Sequence, residues 1–178
     1  MRSIFGEIVA MKKFSKFSIP FTGLNLGKHH YDFKIDKAFF DLFEYCEITD
    51  GEIDVEVELD KKETMLILDF NLSGNVTDQC DRCGSELTLP VTYKERIYVK
   101  FGEEETDDES ILNLPQNAHQ INIAELLEEF AVLSLPVRKV HEKGKCDKKA
   151  LKRLEKMEHN DSQEIDPRWE KLKGLIKD

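Results

Sequence analysis

Two thiols stand three positions apart in the middle of the chain, Cys80 and Cys83, with Gly84 directly behind them. In a tight turn such a pair can chelate one soft metal ion, and a glycine after the second thiol relieves the backbone there. A tetrahedral site needs two more soft donors, and His141 and Cys146 supply the best pair. Cys80, Cys83, His141 and Cys146 together make a chemically sensible zinc site that would tie a sheet to a distant basic segment. The long separation between Cys83 and His141 keeps a second reading open, a hairpin turn with reduced thiols and no metal. A third reading is thiol–disulfide chemistry, which needs a helix N-terminus behind a strand to depress the thiol pKa. Here strand patterns flank the pair on both sides. Cys46, among Phe and Tyr residues, reads as core packing on a helix.

Other catalytic signatures are missing. The chain has no phosphate-binding glycine loop, no dinucleotide fingerprint, no HExxH and no GxSxG. His29 and His30 beside Asp32 read as surface or packing residues, with no nucleophile near them in sequence. The chain is therefore read as a binder and not as an enzyme, and no small-molecule substrate is evident.

Charge says what it would bind. The 178 residues carry 26 Lys and Arg against 36 Asp and Glu, a net charge of −10. That sum argues against uniform affinity for phosphate. It is a sum over segments of opposite sign, however. Nine acids and no Lys or Arg lie in 41–60, whereas 138–157 holds nine basic residues against three acids. Arg138, Lys139, Lys148, Lys149, Lys152 and Arg153 are the candidate phosphate contacts. Glu52, Asp54, Glu56 and Glu58, with Glu103, Glu104 and Glu105, are the candidate contacts for a basic partner. No apolar run is long enough to span a membrane, and residues 1–20 lack the apolar stretch of a secretory signal. A cytoplasmic, reducing location is expected, so a disulfide framework is disfavoured.

The elements that must position these residues follow from periodicity. Residues 14–35 read as strand, loop and strand, and Asp36 caps a short helix over 37–46. Residues 52–59 alternate acid with apolar, and 64–72 pair back on them as a hairpin. Two further strands, 86–91 and 94–101, bring Lys94, Arg96 and Lys100 to one face, opposite acidic strand faces. Asn122 caps the clearest helix, with Glu125 placed as in a capping box and Pro136 beyond its end. A weakly amphipathic helix fits 147–158, and Asp166-Pro167 opens a last one with Trp169 on its apolar side. The fold expected is α+β: a mainly antiparallel sheet of about five to seven strands, a few packed helices and a helical C-terminal region. Residues 1–10 read as an N-terminal extension, with Met11 an alternative start. Residues 11–137 read as the core domain, and 138–178 as a basic, partly flexible segment.

Taken in order, several motifs resemble the YceD family, the large ribosomal RNA subunit accumulation proteins of bacteria and plastids. They are Ile19-Pro20-Phe21 with Gly23 and Leu24, the acidic strand, and Cys80-Asp81-Arg82-Cys83. Ile121-Asn122-Ile123 then leads to Leu133-Ser134-Leu135-Pro136, and Asp166-Pro167-Arg168-Trp169 with Leu172 and Leu175 closes the chain. The resemblance covers roughly 11–178. It implies a non-enzymatic role in large-subunit ribosome biogenesis, with large-subunit rRNA or its precursor, or a large-subunit ribosomal protein, as partner. Many members of the family carry a Cys-rich stretch after the Leu-Pro motif. This chain has His141 where a Cys is expected, and a single Cys146.

Overall fold

The computed structural model describes residues 14–46, 48–102, 108 and 110–161. Its contacts divide the chain into two compact units. The first takes the chain up to Asp78 together with Thr88–Lys139, and the second takes Gln79–Leu87 together with the chain from Val140 onward. The acids Glu103, Glu104 and Glu105, the N-terminal extension and the segment around Trp169 lie outside the described residues.

The architecture is α+β and mainly antiparallel. A strand β1, Ser18–Pro20, precedes β2, Gly27–Ile35, and a helical turn α1, Lys37–Phe40. Three long strands follow: β3, Asp50–Lys61; β4, Met65–Gln79; and β5, Glu86–Phe101. After them come β6, Ile111–Leu114; β7, Gln120–Asn122; helix α2, Ala124–Leu133; and helix α3, Lys148–Asp161. One sheet has the order β2-β3-β4-β5-β6, and β1 pairs with β7 in a two-stranded ladder. All the pairings described are antiparallel except β5 with β6, where Tyr98 lies opposite Ile111 and Phe101 opposite Leu114.

The alternation in β3 has the consequence expected of a half-buried strand. Ile53, Val55, Val57 and Leu59 are buried, as are Leu66, Leu68, Phe70 and Leu72 of β4 and Leu89, Val91, Ile97 and Val99 of β5. Helix α2 covers this apolar face. Its Phe130 ring sits 5.2 Å from Phe70 edge-on and 5.4 Å from Tyr93, stacked. Ile19 and Ile121, opposite each other in the small ladder, are fully buried. Gly74 lies tight against β3: a Cβ there would run into the Glu52 carbonyl oxygen and meet Ile53 Cα at 2.7 Å.

Several boundaries differ from those read off the sequence. The two strands expected over 86–101 are one strand of 16 residues. Thr92 and Tyr93 include no turn former, so the alternation of buried and exposed positions continues through them. The helix expected over 37–46 stops after Phe40, although Asp36 caps it as expected, accepting the Phe39 amide at 3.1 Å. Cys46 consequently lies beyond the helix, half-buried. Helix α2 begins at Ala124; Asn122 ends β7 and its Oδ1 accepts the Ala124 amide at 3.0 Å, so it guards the helix entrance from two residues upstream.

In the second unit, residues 79–87 form the tip between β4 and β5, and a loop from Val140 leads into α3. Asp147 caps that helix, its Oδ1 accepting the Ala150 amide at 2.7 Å and its carbonyl the Leu151 amide at 3.1 Å. Among the described residues, no helix is long and apolar enough to cross a membrane.

Candidate metal centre

The Cys80–Cys83 turn is closed by backbone bonds. The Gly84 amide donates to the Cys80 carbonyl at 2.8 Å, and the Cys80 amide to the Ser85 carbonyl at 2.9 Å. Gly84 takes φ of +69°, a left-handed conformation that costs an L-residue about 1–2 kcal/mol. The chain can therefore reverse directly behind the second thiol and hold both sulfurs on one side.

His141 and Cys146 come to the same point. The three sulfurs and one imidazole nitrogen of Cys80, Cys83, His141 and Cys146 all lie within 4.8 Å of one another. In a tetrahedral site with metal–sulfur bonds near 2.3 Å, neighbouring donors sit roughly 3.8 Å apart. A small contraction of side chains therefore gives a tetrahedron. Cys80 and Cys146 are buried, and Cys83 and His141 half-buried.

The orientation of His141 is informative. Its Nε2 lies 3.0 Å from the Glu86 carbonyl oxygen, which can only accept, so Nε2 carries the proton. Nδ1 then presents its lone pair toward the sulfurs, 3.5 Å from Cys83 Sγ. A carbonyl acceptor on one ring nitrogen in this way fixes the tautomer and orientation that a metal-binding histidine needs.

The electrostatics favour the thiolate at two of the three cysteines. The Cys83 thiol is lowered to about 6 by the Ser85 hydroxyl, 3.0 Å away, and by the backbone amides of Ser85 and Asp147. Burial acts most strongly on Cys80 and opposes ionisation. Backbone amides of His141, Arg82 and Cys83 outweigh it, so the net shift is downward. Cys146 moves up, first from burial and then from the neighbouring sulfurs, and His141 moves up through its hydrogen bond with Cys80. Three thiols so close together ionise fully only with a cation between them. Lowered thiols also suit thiol–disulfide exchange. The third sulfur and the aimed Nδ1 suit metal binding better, and the pair lies between two strands rather than at a helix start. A donor set of three sulfurs and one imidazole selects soft or borderline ions over magnesium or calcium.

The basic candidates separate. Lys148, Lys149, Lys152 and Arg153 are exposed on α3. At 100° per residue they fall, with Lys156, within an arc of roughly 140°, with Ala150, Leu151, Leu154 and Met157 opposite. The helix is thus more clearly two-sided than its sequence suggested. Arg138 is exposed, whereas Lys139 is largely buried and its Nζ lies 2.6 Å from Oδ2 of buried Asp78. Lys139 is committed to that ion pair instead of facing solvent.

The acidic candidates of β3 share the solvent face of the sheet, and pairing register adds acids that β3 alone did not reveal. Asp32 lies opposite Glu56, and Glu58 opposite Asp69. Asp32, Glu56, Glu58 and Asp69 line a groove of about 940 Å³. Part of this charge is answered locally. Lys28 pairs with Glu58, Lys34 lies 3.5 Å from Asp54, Asn71 donates to Glu56, and Arg96 grips Asp69 with bonds of 2.6 and 3.0 Å. The Arg96 contact is the cross-strand pairing expected of the basic face of β5.

No curated protein and no solved structure matches this chain. A family model does match, over residues 68–176, a stretch that makes up more than half of the chain and contains all four converging residues. The chain belongs to the family of that model, the large ribosomal RNA subunit accumulation protein YceD.

Proposed function

We propose that this protein is a non-catalytic factor of large-subunit ribosome biogenesis, acting in the cytoplasm. It binds zinc through Cys80, Cys83, His141 and Cys146, and contacts large-subunit rRNA or its precursor through α3. Family membership supports the biological role. The single observation that carries the contact is the basic arc of Lys148, Lys149, Lys152 and Arg153, exposed on a helix that starts two residues after Cys146. Clustered Lys and Arg bind phosphate, and no aromatic side chain interleaves them to read bases by stacking. The role assigned is therefore backbone binding, with little sequence preference from this helix.

Zinc is the metal assigned because three thiolates and one imidazole in a closed tetrahedron are a structural zinc donor set, with no ligand position left open for chemistry. The ion would hold the 79–87 tip and the 140–146 loop together.

A second reading concerns the acidic sheet face. Like charges directly opposite each other across strands are unfavourable. Glu58 and Asp69 already have Lys28 and Arg96 as partners, so it is the Asp32–Glu56 pair that favours a basic protein segment, such as an arginine-rich arm of a large-subunit ribosomal protein.

Crosslinking in cells, followed by identification of bound RNA and protein together, tests both contacts. Recovery of large-subunit rRNA crosslinked through residues 148–153 is expected, and loss of the protein should lower large-subunit rRNA. Unchanged large-subunit rRNA after depletion would remove the biological role.

A further inference from the structure

The second unit has an unusual interior. Among its residues whose burial is described, 79–87 and 140–157, the only buried side chains are those of Cys80 and Cys146. Leu87, Val140, Ala150 and Leu151 are no more than half-buried. Two thiols do not make a hydrophobic core, and small modules without one are held by metals or disulfides. Both buried residues belong to the metal centre.

Helix α3 cannot supply the missing stability. At 14 residues it is marginal by itself in water. Its basic arc places Lys148 against Lys152, Lys149 against Arg153 and Lys152 against Lys156, each four residues apart, and like charges at that spacing are destabilising. The helix is instead attached to the ligand set at its start. Cys146 is followed immediately by Asp147, the cap whose carboxylate and carbonyl hold the first helical amides. Fixing the Cys146 sulfur fixes the residue beside the cap.

We propose that metal binding is the switch that orders the second unit, so that α3 presents its basic arc to phosphate only when the centre is filled. This rests on the assignment of Cys80, Cys83, His141 and Cys146 as a zinc site, and adds to it a regulation of nucleic-acid contact by metal supply. The step is coupled folding and binding: zinc displaces thiol protons, joins the 79–87 tip to the 140–146 loop and anchors the start of the helix.

Hydrogen exchange on the full-length protein tests this, with zinc bound, after removal of zinc by a chelator and after zinc is restored. The bound metal is quantified in each sample, and affinity for a short labelled single-stranded RNA is measured in parallel. On zinc removal, amides of 148–157 should exchange faster by about tenfold or more, while amides of β3 keep their protection. RNA affinity should fall together with α3 protection, and zinc should restore both. Cys146→Ser should lose the same protection, and the β3 amides report whether that variant remains folded elsewhere. If zinc binds and leaves α3 protection and RNA affinity unchanged, the switch is refuted while the zinc site stands. If β3 loses protection equally, the metal holds the whole chain and the local switch is again refuted. If no zinc binds at all, the zinc assignment fails and the switch fails with it.

Discussion

Replacing Lys148, Lys149, Lys152 and Arg153 together by Gln removes the charge of the basic arc and keeps residues that favour helix. Each phosphate neutralised on single-stranded nucleic acid contributes about 0.7 to the slope of log affinity against log salt. Four contacts therefore give a slope of about −2.8. Between 50 and 200 mM salt that corresponds to a loss of roughly 50-fold in affinity. Fluorescence anisotropy with labelled single-stranded RNA over that salt range measures it. The quadruple variant should show a slope flatter by about 2.8, with the largest loss of affinity at low salt. Lys139→Ala should leave the slope where it is, because its ammonium faces Asp78. A quadruple variant with unchanged helix content and zinc content, and a slope within about 0.7 of the parent, would refute the assignment of α3 as the phosphate contact.

Lys139→Ala has its own consequence: it strips the buried Asp78 carboxylate of an ammonium 2.6 Å away, so unfolding by denaturant should show a loss on the order of 3 kcal/mol. Gly74→Ala forces a methyl group onto the β3 backbone and should cost about 1–3 kcal/mol in the same assay. Metal-free protein should be alkylated at half-buried Cys83 faster than at buried Cys80 or Cys146. Because the thiolate is the nucleophile and this thiol is lowered to about 6, the Cys83 rate should rise with pH through about 6. Zinc affinity should weaken as pH falls through that same region, since a proton then competes for the ligand; titrations at pH 5 and 7.5 check the sign.

The convergence of these four side chains was legible because residue type and spacing limit the choices: once Cys80 and Cys83 are taken as a pair, His141 and Cys146 are the best remaining soft donors. What holds them was not legible. The Glu86 carbonyl that pins His141 and the Ser85 hydroxyl that lowers Cys83 depend on how the 79–87 tip folds back on itself, which periodicity does not encode. Strand β3 was legible because its acid–apolar alternation is strict. Strand β5 reads as two strands in the sequence because Glu95 interrupts the apolar positions of its inner face. Lys139 looked like its neighbour Arg138, and only tertiary folding sets it against Asp78, distant in the chain. Asp32 and Asp69 were invisible as partners of the acidic strand until register placed them opposite Glu56 and Glu58.

Metal content tests the central claim most directly. Protein purified without chelator, and the same protein reconstituted with cobalt(II), should hold one metal ion per chain. The cobalt form should show the visible absorption of a tetrahedral ion together with thiolate charge transfer. Cys46→Ser should leave the spectrum unchanged, and Cys80→Ser, Cys83→Ser and Cys146→Ser should each reduce the charge-transfer band. A chain that holds no zinc and gives cobalt only its octahedral aqueous spectrum would contradict the account.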